Sequence, residues 1–323
     1  VKKRLAALLV SLLMLSAIGF LLVPTITGEA TIVEETSFTV PPGASLSAVA
    51  RELETQGLIA SARGFKLNAR LFGSDEPIKA GEFALTPGMS QSEILAKFQS
   101  GDIIRRFVTI PEGLPSILVW ERLMAEELLT GEIEVPDEGS ILPDTYAFEI
   151  GQSRSDLVAT MQNAMDKYLA QAWADRADNT AVETKEEALI LASIVEKETA
   201  LAKERAMVAG ALSNRVRIGM MLGADATTIY PITKGKPLGR RIRVSELRDP
   251  NPYNTRAVAG LPPGPITNPG REAIAATLDP AETDALFYVA DGSGGHAFAA
   301  TLAEHNRNVA RWRAIRRERG EMD

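Results

Sequence analysis

At 323 residues with 45% apolar composition, the chain can bury sizeable cores, and its length fits two soluble domains. A net charge of −7 and a pI near 5.2 argue against a nucleic-acid partner, because phosphate binding needs a concentrated positive surface. Cysteine is absent, which excludes disulfide scaffolds, zinc-thiolate sites and thiol nucleophiles together and suits an oxidising compartment.

Residues 5–23 carry no charge and follow a basic tail, residues 1–4, containing Lys2, Lys3 and Arg4. As a helix this stretch would span about 28 Å, the thickness of a bilayer's hydrocarbon core. The basic tail predicts a cytoplasmic N-terminus and a single-pass anchor in the cytoplasmic (inner) membrane, with the rest of the chain outside. A cleaved signal peptide competes, since Gly28-Glu29-Ala30 loosely fits a small-x-small site, but the apolar run is longer than the usual ~7–15 residues. Residues 24–35 read as a linker.

Residues 36–40 alternate like a strand, and Pro41-Pro42-Gly43 signals a turn. Ser45 can cap a helix carrying Leu46, Val49, Ala50 and Leu53 on one face and closed by Gly57. A helix over 62–72, a strand over 81–85, a helix over 90–99 and a strand over 103–110 follow. The strand-to-helix joints at 40–45 and 86–90 echo each other weakly.

Pro111-Glu112-Gly113 opens a second region, with a helix over 116–129 and an acidic connection over 132–139. In Leu142-Pro143-Asp144-Thr145-Tyr146, Asp144 and Tyr146 either line a cleft or make a local turn bond and a packing contact. Residues 155–174 form an amphipathic helix with Leu157, Met161, Met165, Tyr168 and Leu169 inward.

The next helix organises the chain. Thr184 and Glu187 suggest a capping box, and an apolar run leads without a break to Glu196. At ~3.6 residues per turn, Glu196 shares a face with Leu189, Ala192, Ser193 and Ala200, while Glu198 points about 200° away. A lone carboxyl at the edge of an apolar surface would have a raised pKa and could serve as a general acid. The plainer reading is a charged helix end facing solvent.

A helix over 204–218 ends at Gly219, and residues 222–230 bring Asp225 and Thr227. Residues 231–243 are a basic loop compatible with a hairpin. Residues 251–255, with Tyr253 and Asn254, and residues 260–270 are dense in Pro, Gly and Asn, which suits either fixed presentation of groups to a sugar or simple chain reversal. A helix over 271–278 and a strand over 286–290 follow. The glycine-rich stretch 291–296 lacks the Lys and Ser/Thr of a phosphate loop. His296 and His305 are wrongly spaced for a helical metal pair, so neither metal nor cofactor is expected. Residues 298–319 read as a terminal helix with a solvated basic end.

ILASIVEKET (190–199), TIPEG (109–113), LPDTY (142–146), NPYNT (251–255), GLPPGPITNPG (260–270) and VADGSGGHAF (289–298) resemble, in order, the blocks of the YceG-like endolytic murein transglycosylases. The resemblance runs from about residue 35 to about residue 313. It implies an α+β fold with a small LysM-like domain over 36–108 and a catalytic domain over 109–323. It implies peptidoglycan as substrate and Glu196 as catalytic residue, protonating the oxygen between MurNAc and GlcNAc. Glu196 would then take a proton from the MurNAc C6 hydroxyl, closing a 1,6-anhydro ring. Asp144, Tyr146, Ser193, Asp225, Thr227, Tyr253, Asn254 and His296 become candidate substrate-binding residues. Two departures weaken the roles of Asp225 and Thr227: Gly223 stands where the family has glutamine, and Ala226 where it has proline. Cutting nascent strands beside peptidoglycan synthases would limit strand length. An inverting hydrolase using Asp225 or Asp144 as base, and a non-catalytic wall tether, are the rival readings.

Overall fold

The computed structural model describes residues 30–74 and 76–321. The expected anchor at 5–23 and its basic tail lie outside these residues; among the described residues no helix is long and apolar enough to cross a membrane. The fold is mixed α+β with small two-stranded sheets. It divides into two compact units, one running to Arg106 and including Ala147–Ile150, the other made of Phe107–Tyr146 and Gly151–Asp323.

In the first unit, β1 (Thr36–Val40) pairs antiparallel with β2 (Gly81–Leu85), Thr36 opposite Leu85 and Val40 opposite Gly81. Three helices complete it: α1 (Leu46–Thr55), α2 (Ala62–Phe72) and α3 (Gln91–Ser100). Ser45, Ser61 and Ser90 cap them by accepting backbone N–H bonds, which satisfies donors that a helix start leaves unpaired. The core closes on Phe38, Phe83 and Phe98, with Phe98 stacked 5.6 Å from Phe38 and edge-on 4.9 Å from Phe83. The expected linker over 24–35 is shorter than its composition suggests. Ala30 and Ile32 are buried in this core, and their neighbourhood is stitched down by Ala30 N–H to Met89 O (2.8 Å) and Thr31 N–H to Leu58 O (3.1 Å).

Strands β3 (Arg106–Thr109) and β4 (Thr145–Phe148) form a second small sheet, and β4 was not foreseen in the Leu-Pro-Asp-Thr-Tyr stretch. The second unit then comprises α4 (Ser116–Met124), α5 (Arg154–Ala174), α6 (Lys185–Glu198), α7 (Ala202–Arg217), α8 (Asp225–Thr233), α9 (Val244–Leu247), α10 (Arg271–Leu278), the hairpin β5 (Phe287–Ala290) and β6 (His296–Ala299), and α11 (Leu302–Glu318). Helix α6 is its axis, packing against α5, α7, α8 and α10. Ala188 and Ile190 through Val195 are all buried, so apolar residues surround it on every side, as an interior helix requires. Thr184 caps it through Glu187 N–H (3.1 Å), while Glu187 reaches back to Glu183 N–H (2.7 Å) rather than to Thr184.

Three expectations are corrected, at residues 116–129, 231–243 and 298–319. The helix expected over 116–129 stops at Met124 because buried Arg154 donates to the carbonyls of Leu123 (2.7 Å), Glu126 (2.7 Å) and Gly131 (2.6 Å), folding the chain around its guanidinium. Residues 225–233 form α8 despite Pro231, which lies late in the helix. Residues 231–243 contain no strand, so the hairpin expected there is absent from the described residues. The glycine-rich stretch 291–295 turns the β5–β6 hairpin instead. Asp291 Oδ1 accepts from Ser293 N–H (2.7 Å) and Gly295 N–H (3.2 Å), and Gly292 and Gly294 take φ of +86° and +97°. Phe298 therefore lies in β6, and the terminal helix starts only after the Thr301–Glu304 capping box.

Candidate active site

Glu196 occupies the last turn of α6, where the helix passes from a fully buried run to a half-buried side chain. Its Oε2 accepts from Gly270 N–H at 2.9 Å, at the N-cap of α10. Burial pushes its carboxyl above the ordinary range. The Gly270 bond opposes this, the negative charge of Glu112 adds to it, and Arg205 and Lys197 offset part of it. The result is a carboxyl biased toward its protonated form and free to donate from its second oxygen.

Two loops frame that carboxyl, each held by buried hydrogen bonds. Ser193, one turn before Glu196 and fully buried, donates to Ile190 O (2.7 Å) and accepts from Ile266 N–H (3.1 Å), so the 260–270 loop is pinned to α6 itself. Buried Asn268 accepts from Ile141 N–H (3.0 Å) and donates to Leu114 O (2.9 Å) and Ser116 Oγ (3.1 Å), while its carbonyl receives Gly113 N–H (2.9 Å). Lys197 Nζ completes the clasp on Gly113 O at 3.3 Å. Gly113 has φ +70°, and a Cβ there would stand 3.3 Å from Glu196 Cγ, so glycine serves both the turn and the close approach.

Glu112 is brought to the same place. A Cβ on Gly270 would overlap the Glu112 carboxyl, so Glu112 lies directly against the residue whose N–H binds Glu196. Through standard bond lengths and that hydrogen bond, the two carboxyl groups are within about 8 Å of each other. Glu112 was legible only as part of a motif; a carboxylate between Pro111 and Gly113 was the signal that could have singled it out.

The other candidate residues are placed as follows. Asp144 is ion-paired with Arg271 (2.8 Å), the residue after Gly270, and that hydrogen bond holds its carboxyl below the ordinary range. Tyr146 is buried, and its hydroxyl donates to Leu142 O at 2.6 Å; burial pushes its pKa up to about 12. Asp225 is ion-paired with Arg256 (2.5 Å). Thr227 is buried, donating to Ala224 O (2.6 Å) and sharing a 2.8 Å bond with Thr255. Asn254 is buried as well; its side chain binds Thr228 Oγ1 (2.7 Å) and Asp249 O (2.8 Å) and so shapes its own loop. Tyr253 remains half-buried with its ring 4.9 Å from that of Tyr230. His296 Nδ1 lies 2.9 Å from Glu204 Oε2, one residue before Arg205. Glu198, facing away from Glu196, accepts from Tyr288 OH (2.8 Å), and burial raises its carboxyl too. No group of residues suited to a metal ion occurs among the described residues.

A profile of the YceG-like family matches residues 38–311, which takes in both units and every residue just placed around Glu196. The chain belongs to the YceG-like family. It is 27% identical over 313 residues to the endolytic murein transglycosylase of Bacillus subtilis, covering 87% of this chain and 85% of that one. It is 29% identical over 321 residues to the enzyme of the same name from Streptococcus pneumoniae, covering 84% of this chain but 57% of the pneumococcal protein. A crystal structure of a YceG-like protein from Listeria monocytogenes is similar, with a TM-score of 0.53 and 26% identity, covering 85% of this chain and 98% of that one. Among YceG-like blocks, GLPPGPITNPG is thus seen here to supply Asn268 and Gly270, and TIPEG to supply Glu112 and Gly113, around one carboxyl.

Proposed function

We propose that this YceG-like chain is an endolytic lytic transglycosylase that cuts peptidoglycan glycan strands between MurNAc and GlcNAc and leaves 1,6-anhydroMurNAc ends. The names of its bacillar and pneumococcal relatives support the substrate and the endolytic cut. The observation that carries the chemistry is Glu196: a half-buried carboxyl, its pKa pushed up by burial, anchored by one backbone N–H and close to an exposed loop carboxylate.

Glu196 donates its proton to the glycosidic oxygen as the bond from the MurNAc anomeric carbon to that oxygen breaks. The GlcNAc portion leaves with a new hydroxyl. The carboxylate of Glu196 then takes the proton from the MurNAc C6 hydroxyl, whose oxygen bonds to the anomeric carbon and closes the anhydro ring. No water is consumed, and Glu196 regains its proton. Ordinary glycoside hydrolysis uses a second carboxylate as nucleophile or base. Asp144 and Asp225, the sequence candidates for that role, are neutralised by Arg271 and Arg256. Glu112 is the one specific support for an inverting hydrolase, because its reach of Glu196 is compatible with the ~6.5–9.5 Å such enzymes use. Hydrolysis would leave reducing ends, and ring closure leaves none.

The first unit is assigned as the LysM-like domain, and Tyr253 and Asp144, the partly exposed candidates, as substrate contacts. Residues 5–23 are assigned as a single-pass membrane anchor with the enzyme on the outer side, close to the synthases that extrude new glycan. Replacing Glu196 by Gln keeps shape and hydrogen bonding while removing the transferable proton. Turnover of purified peptidoglycan should fall by at least about a hundredfold, with no loss of melting temperature and with glycan co-sedimentation retained. Near-native turnover by E196Q would remove the assignment.

A further inference from the structure

Several carboxylates of the second unit are held by a partner. Asp144 and Asp225 have arginine partners, and Glu272 pairs with Arg205. Glu204 faces His296, Glu198 holds the Tyr288 hydroxyl, and Glu138 accepts from Ser116 N–H at the start of α4 (2.8 Å). Glu112 is exposed, and among the described residues it forms no ion pair and accepts no hydrogen bond. Yet it is not loosely placed. Its loop is clasped by Asn268 and Lys197, and its carboxyl occupies space that only glycine at position 270 leaves open.

We propose that Glu112 is a second working carboxylate of this site, whose uncompensated negative charge stabilises the positive charge that develops on the sugar ring as Glu196 cleaves the glycosidic bond. This rests on the lytic reading above and deepens it. Cleavage passes through an oxocarbenium-like state in which the anomeric carbon and ring oxygen share a positive charge. A fixed charge aimed where charge develops lowers that state without binding the neutral ground state equally. Glu196 bonds the Gly270 N–H and Glu112 lies against the Gly270 Cα, which keeps the two carboxyl groups within about 8 Å, so a ring presented to the acid lies within the field of both. Glu112 makes no covalent bond and moves no proton: the C6 hydroxyl remains the nucleophile, and Glu196 remains both acid and base. The two carboxyl groups differ because one is buried against α6 and α10 while the other is exposed and unpaired. Gly270 is the hinge of the arrangement, giving its N–H to the acid and its missing side chain to the charge.

The experiment measures kcat and KM on purified peptidoglycan for the full chain, for Glu112→Gln and for Glu112→Asp, with the product ends of each digest identified. Glu112→Gln should lower kcat about tenfold or more while KM changes less than about threefold. Glu112→Asp, which keeps the charge, should restore part of the loss. All ends should remain 1,6-anhydro. Binding of uncleaved glycan should be equal for E196Q and for the E196Q/E112Q double variant, since both are read in the ground state. If Glu112→Gln retains native kcat, the proposal is overturned. It is overturned equally if Glu112→Asp is as impaired as Glu112→Gln and both lose glycan binding or thermal stability, because Glu112 then only shapes its loop. Reducing ends from the native enzyme would instead overturn the lytic reading, and that outcome is read on the native digest alone.

Discussion

At the scale of single residues, Glu196 makes a prediction about stability that is separate from catalysis. Burial against α6 and α10, reinforced by Glu112 and opposed by the Gly270 N–H, Arg205 and Lys197, raises its folded-state pKa above the unfolded value. The folded protein therefore binds more protons than the unfolded chain between the ordinary glutamate range and that raised value. The stability Glu196 contributes is fully present below this window and is lost as pH rises through it. Replacing it with Gln should leave the melting temperature near native in acid and raise it relative to native above the window. A melting-temperature difference that is the same at pH 4 and pH 8 would show that Glu196 is not perturbed in the folded state. The same protonation should give activity an alkaline limb, with the rate falling as Glu196 loses its proton.

At the scale of elements, the site depends on two loops being fixed to one helix. Removing the Ser193 hydroxyl leaves Ile266 N–H buried without a partner, which should cost about 1–3 kcal/mol. Replacing Asn268 by Ala releases Ile141 N–H, Leu114 O and Ser116 Oγ together and should cost more than Ser193→Ala, with turnover falling in the same order. Chemical denaturation of the two variants checks the ranking; equal stability of both with the native protein would mean that the loops are held by other contacts. These elements also show what a sequence can and cannot disclose. The helix over Lys185–Glu198 was legible because a cap and a continuous apolar run coincide there, and β1 and β2 because alternation is flanked by turn residues. Helix α8 and strand β4 were not, since Pro231 and Pro143 read as breaks and the compensating contacts are distant in sequence. The carboxyl at Glu196 was readable from its place on one helix. Its partners were not, because Asn268, Gly270 and Glu112 meet it only through loops more than seventy residues away along the chain. Ser193 shared the face of Glu196 as its spacing required, but its hydroxyl turned out to hold backbone rather than to stand open.

At the scale of the whole molecule, the decisive quantity is reach. Ala30 is already bonded to Met89 and buried in the first unit, so the stretch between the proposed anchor and that unit is residues 24–29. Six residues extend at most about 20 Å. If residues 5–23 form the proposed anchor, the first unit would be confined near the outer membrane surface, and confinement would raise the local concentration of enzyme at new glycan without any new contact. A form in which residues 1–23 are replaced by a cleavable secretion signal should still cut purified peptidoglycan but should no longer restore normal strand length in cells lacking the native protein. Full restoration by the released form would show that confinement does not select the substrate.

The chemistry at Glu196 is tested most directly by mass spectrometry of the ends produced when the native protein digests purified peptidoglycan. Ring closure by the C6 hydroxyl should give 1,6-anhydroMurNAc ends that resist borohydride reduction, appearing at internal cuts and absent from digests with E196Q. Reducible MurNAc ends, carrying label from heavy-oxygen water, would contradict a lytic reaction in which Glu196 is both acid and base and would show that the enzyme is a hydrolase.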